Sequence, residues 1–121
     1  MAYPIFDRSQ LKLLPLAERV HDMTLADVLP LDAEVEDWPG NELDHLAQNM
    51  RTARANEKPV IIMMGAHVIK RGMSRFLVDL MRRGWITHIG MNGACAIHDS
   101  ELALFGATTE SVARYLSLIH I

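Results

Sequence analysis

The sequence predicts an α/β fold: a parallel sheet with a βαβα core. Three observations predict it. Residues 60–64 (VIIMM) form a continuous apolar run, the signature of a strand covered on both faces. Residues 67–83 carry Ile69, Met73, Phe76, Leu77, Leu80 and Met81 at helical spacing, with Arg71, Arg75, Asp79 and Arg82 mostly opposite. A second apolar stretch lies at 85–91, and both apolar stretches end in small-residue turns, Gly65-Ala66-His67 and Asn92-Gly93-Ala94. A strand, a crossover helix and a parallel strand in this order make a right-handed unit almost by default. In open α/β sheets, ligands bind at the carboxyl edge of the strands, which is where both turns fall.

Residues 1–40 hold four of the five prolines and little periodicity, so they read as an arm packing on the sheet. Within it, 11–14 suits a short strand, 22–29 a helical turn with Thr24 as N-cap, and 32–40 an acidic loop ended by Trp38-Pro39-Gly40. Residues 41–116 form the α/β half-domain. Its first helix spans 41–56, with Asn41 as cap, Glu42 and Asp44 at the positive end of the dipole, and a stripe of Leu43, Leu46, Ala47, Met50 and Ala53. Gly84 suits the position just past the next helix, which Arg82 and Arg83 close favourably. After the second strand, a helix runs over 94–105 and Gly106 ends it; Thr108 or Thr109 then caps a fourth helix near 110–116. Residues 117–121 break the amphipathic pattern and read as a non-native tail.

Two apolar parallel strands cannot cover each other's faces and edges. The expectation is therefore a truncated sheet with an exposed apolar edge. The alternative is a small complete domain whose extra strand comes from 11–14.

Composition narrows the function. The chain has 12 Lys and Arg against 15 Asp and Glu, a net charge of −3, which offers no basic surface for nucleic acid. The single cysteine, Cys95, forms no internal disulfide and suits a cytoplasmic setting. The N-terminus has charges and Pro4 where a signal peptide needs an apolar core, and no apolar run approaches the roughly 18 residues of a membrane span.

The chemistry-bearing residues cluster at the two turns. Gly65 and Ala66 allow close backbone approach, and a helix start after them favours phosphate or carboxylate. The spacing matches neither GxGxxG nor GxxxxGK[ST]. His67 either faces a ligand or caps its helix, and Lys70 either joins it or is solvated. Asn92, Gly93 and Ala94 repeat the arrangement, with an amide on Asn92 that both donates and accepts. His98 and Asp99 sit in the next helix beside this cleft and are the candidate substrate residues. Being adjacent, they diverge by about 100° around the helix axis. Glu101 fits ordinary helix-start acidity, Cys95 and His88 fit core packing, the eight methionines fit core filling, and no spacing supports a metal site.

The stretch GAHVIKRGMSRFLVDLMRRGWITHIGMNGACAIHDSELALFGATTESVA resembles the N-terminal half of deoxyhypusine synthase and its shorter bacterial relatives. The resemblance covers roughly residues 59–113, with weaker similarity through Leu14-Pro15-Leu16-Ala17-Glu18-Arg19. In that family a segment ending in Ser-Gly-x-Arg comes after one strand, where this chain has Ile69-Lys70-Arg71-Gly72-Met73-Ser74-Arg75. A second strand there leads to Thr-Ala-Gly-Gly and an acidic pair, where this chain has Asn92-Gly93-Ala94 and His98-Asp99. The resemblance implies a Rossmann-like sheet that binds NAD, in a homo-oligomer, and aminobutyl transfer from a polyamine to a protein lysine or a small amine. By position it implies that Gly93 and Ala94 lie against NAD and that Asp99 matches one acid of the pair. His98 replaces the other acid, which weighs against a polyamine. The family's catalytic lysine lies in the C-terminal half, so this stretch alone is expected to be inactive. The alternative is a non-catalytic module of the same layout that binds a nucleotide or another small ligand.

Overall fold

The computed structural model describes residues 15–114, together with residues 5, 7 and 9. The strand expected at 11–14, the end of the expected fourth helix and the tail at 117–121 lie outside the described residues.

The arm folds by extension. β1 (His21–Thr24) stands where a helical turn was expected. Met23 points inward and is buried, while Asp22 and Thr24 face out, the alternation a half-buried strand requires. Thr24 does serve as a cap. Its hydroxyl accepts from the Ala26 amide at 3.3 Å, and the Asp27 carboxylate accepts from the Thr24 amide at 2.8 Å, opening a 3-10 turn over Leu25–Asp27.

α1 (Glu42–Ala55) occupies the expected span, although the Asn41 side chain makes no cap bond. Ala47, Met50 and Ala53 of the expected stripe are half-buried, whereas Leu43 and Leu46 are exposed. The Arg54 guanidinium lies 4.4 Å above the Trp85 ring and ties α1 to the segment that leads into the strand at 88–91.

β2 (Ile61–Met64) and β3 (His88–Met91) pair in parallel, with Ile61 opposite His88 and Met64 opposite Met91. Only one face of this pair is covered. Ile62 and Met64 are half-buried, but Ile61 and Met63 are 60% and 86% exposed, which corrects the expectation of a strand covered on both sides. β3 also starts later than the apolar pattern implied. The amides of Trp85 and Ile86 turn back to the Leu80 carbonyl, at 2.8 and 3.4 Å, after the left-handed Gly84. His88, expected in the core, is exposed.

The crossover is two helices, α2 (His67–Lys70) and α3 (Ser74–Arg82), where the periodicity predicted one. The break has a tertiary cause at Gly72. This glycine adopts φ +78°, its carbonyl accepts the Leu29 amide at 3.0 Å, and the arm backbone crosses directly over its Cα. Helical periodicity continues through 71–73 because side chains on both flanks still face inward, so the sequence hides the interruption.

α4 (Gly93–Phe105) ends as expected at Gly106, which is left-handed at φ 70°. Beyond Gly106 the structure departs from the sequence-based expectation. Ala107–Glu110 is strand β4, so neither Thr108 nor Thr109 caps the expected fourth helix, whose described residues 112–114 are helical; β4 pairs antiparallel with β1, Met23 opposite Thr108. Consecutive threonines are good strand formers, and a partner strand from the distant arm supplies the ladder. The core lies where arm, α2 and α4 meet: Met23, Val28, Ile69, Cys95 and Leu102 are buried together, with Met64, Ala66 and Leu77 packed against them. Among the described residues no helix is long and apolar enough to cross a membrane.

Candidate functional site

The two strand ends lie side by side. A Cβ placed on Gly65 would sit 4.0 Å from the Asn92 side-chain nitrogen, so the turns after β2 and β3 form one edge. Asn92 caps α4 by accepting the Cys95 amide at 3.1 Å on Oδ1. The amides of Gly93 and Ala94 make no backbone hydrogen bond among the described residues, and nothing lies within 4 Å of where a Gly93 Cβ would be. The start of a thirteen-residue helix therefore faces open space with free donors, an arrangement that suits an anionic group. α2 has only four residues, so the Gly65-Ala66-His67 turn supplies space and backbone more than a dipole. His67 is the first residue of α2, exposed, and does not cap it; Ala66 occupies the cap position.

Cys95 is fully buried between the strand ends, with Sγ 3.7 Å from the Met64 carbonyl and 3.3 Å from Asn92 Oδ1. It joins the two turns by packing.

Beside this edge a cleft of about 560 Å³ runs between α3 and α4 over the covered face of β2–β3. Met64, Ile89 and Met91 form its floor, Leu77, Val78 and Met81 one wall, and Ala96, Asp99 and Ser100 the other. Several methionines expected to fill the core thus line an open cavity. Asp99 is the one charged side chain on these walls.

The structure bears out the divergence expected of the two candidate substrate residues. Asp99 lines the cleft, whereas His98 turns to β4, where its Nδ1 lies 2.8 Å from the Thr108 hydroxyl. Thr108 is fully buried and donates to Glu101 Oε2 at 2.5 Å, and Glu101 Oε1 accepts from Arg19 Nη1 at 2.8 Å. By sequence, Glu101 fits helix-start acidity and Thr108 fits a cap. Nothing local brings in Arg19, because the link depends on β1 and β4 pairing across the chain. The Thr108 hydroxyl, with Arg19 assisting, holds the Glu101 carboxyl below its ordinary range.

That lowered value fixes a pH dependence. A carboxyl depressed in the folded state adds stability above its unfolded value, 4.5, and the contribution is lost as the pH falls through the folded value. Urea midpoints should therefore decline as the pH drops below about 4.5, and Glu101→Gln should flatten this part of the profile; equal slopes in both proteins would exclude the assignment. Among the described residues no three His, Cys, Asp or Glu side chains group to hold a metal ion.

Comparison with known proteins places this geometry. A family model described as arginine dihydrolase ArgZ-like, C-terminal, Rossmann fold matches residues 44–115, more than half of the chain. No curated protein and no solved structure matches it. The match overturns the resemblance to deoxyhypusine synthase, and with it the polyamine transferase reading and the ground that this resemblance gave for NAD. The residues that carried the resemblance, strand-end glycines and a nearby acidic residue, recur in Rossmann-type turns generally, and His98 is not paired with Asp99. The α/β expectation itself stands: the matched segment contains the parallel β2–β3 pair, its crossover helices and α4, and the chain belongs to the arginine dihydrolase ArgZ-like family as a C-terminal Rossmann-fold domain.

Proposed function

We propose that this domain is a ligand-binding module, without catalytic groups of its own, that takes a nucleotide or another phosphorylated small molecule at the β2–β3 carboxyl edge. The observation that carries this reading is the open space over Gly93 at the start of α4, beside Gly65. The phosphate sits against the Gly93 and Ala94 amides, with Asn92 beside them. The rest of the ligand lies in the methionine-floored cleft, where the Asp99 carboxylate accepts hydrogen bonds from its hydroxyl groups. A flexible thioether floor adapts to a flat ring.

Calorimetric titration with NAD, ADP and inorganic phosphate tests this. At least one nucleotide should bind, and Gly93→Val should weaken it by roughly tenfold or more, about 1.4 kcal/mol, with little change in the urea midpoint because the space around the added Cβ is open to 4 Å. Failure of all three probes to bind the wild-type domain, or equal binding by Gly93→Val, refutes the proposal.

A further inference from the structure

We infer that Thr108 and Glu101 fix the His98 ring with a proton on Nδ1, and that the uncharged ring presents Nε2 as a hydrogen-bond acceptor for a hydroxyl or amine donor. This does not depend on phosphate binding at Gly93.

One chain of groups fixes where the protons lie. The Thr108 hydroxyl is fully buried and has one hydrogen, with two neighbours in reach: Glu101 Oε2 at 2.5 Å and His98 Nδ1 at 2.8 Å. An ionised carboxylate only accepts. Glu101 is ionised near neutral pH, since Thr108 and Arg19 both favour its charged form. The Thr108 hydrogen therefore goes to Glu101, and its oxygen has only a lone pair to offer His98. Nδ1 must supply the hydrogen, and in a neutral imidazole that leaves the lone pair on Nε2. This is the opposite of the tautomer that free histidine favours in water.

Nε2 has no hydrogen-bond partner among the described residues and is not among their buried unpartnered atoms, so it remains accessible. The His98 side chain keeps 19% of its surface exposed, so a donor outside the protein can reach the ring. In this arrangement Thr108, Glu101 and Arg19 are positioning residues, and His98 makes the contact.

Nitrogen NMR of the imidazole ring at mildly alkaline pH tests the tautomer without any ligand. Wild-type His98 should show Nδ1–H. Glu101→Gln reverses the chain: the amide oxygen keeps Arg19, the amide nitrogen donates to Thr108, and Thr108 then donates to Nδ1, moving the ring proton to Nε2. A role limited to packing would not produce that reversal. Diethyl pyrocarbonate, which acylates an accessible imidazole lone pair, should modify His98 at Nε2 in the wild type and do so several-fold more slowly in Glu101→Gln. Nε2–H in the wild type, an unchanged tautomer in Glu101→Gln, or an unmodified wild-type His98 would each overturn the inference. The wild-type spectrum needs no substitution, so a variant that fails to fold leaves the test intact. The readouts are separate from nucleotide titration, so the two proposals fail independently.

Discussion

Replacing Gly72 with alanine should cost roughly 2–5 kcal/mol of stability, the largest effect expected from a single methyl group in this domain. Two penalties act together. The backbone is at φ +78°, where a Cβ is strained whatever the surroundings. That Cβ would also overlap the Asp27 carbonyl oxygen and meet the Leu29 amide at 3.0 Å, both backbone atoms of the crossing arm that cannot swing aside. Gly84 is the matched control, because it is left-handed at φ +70° with nothing within 4 Å of the added atom. Gly84→Ala should lose only the conformational part, about 1–2 kcal/mol. Urea denaturation of the two variants measures the difference. Equal losses would mean that the arm does not press on Gly72, and the break between α2 and α3 would need another cause.

Leu102→Ala should destabilise the domain by about 2–5 kcal/mol. Leu102 is 5% exposed and shares the core with Met23, Val28, Ile69 and Cys95. These partners come from β1, the arm, α2 and α4, so no single movement closes the cavity left behind, and the loss should fall in the upper part of that range. Leu104→Ala, two residues along the same helix at a side chain 74% exposed, should stay within about 0.5 kcal/mol. Chemical denaturation of both variants decides the matter, and a comparable loss at the two positions would argue against a core centred on α4.

The expectations that held concern local signals. The Gly106 stop of α4, the Gly84 turn, the Thr24 cap and the adjacency of the two strand-end turns each depend on a few consecutive residues. The expectations that failed concern segments whose structure is set by distant partners. Residues 107–110 are threonine-rich and precede a plausible helix, yet they extend because β1 is there to pair with them. Gly72 interrupts a periodic helix because residues 27–29 cross it. The site divides in the same way. The turns that hold Gly65 and Gly93 were visible in the sequence, as was the angular divergence of His98 and Asp99. The outcome of that divergence, with Asp99 in the cleft and His98 on Thr108, needed the positions of α3 and β4. The family itself was not readable from glycine turns that many Rossmann-type domains share.

The β1–β4 pairing has a kinetic consequence. Its register places His21 opposite Glu110, so the ladder closes a loop nearly as long as the described chain. Closing such a loop costs chain entropy before any contact offsets it. The β2–β3 unit, with its short crossover, has no comparable barrier. Folding should therefore proceed from the centre of the sequence outward, and the linkage from Arg19 through Glu101 and Thr108 to His98 should assemble last, when the two distant strands finally meet.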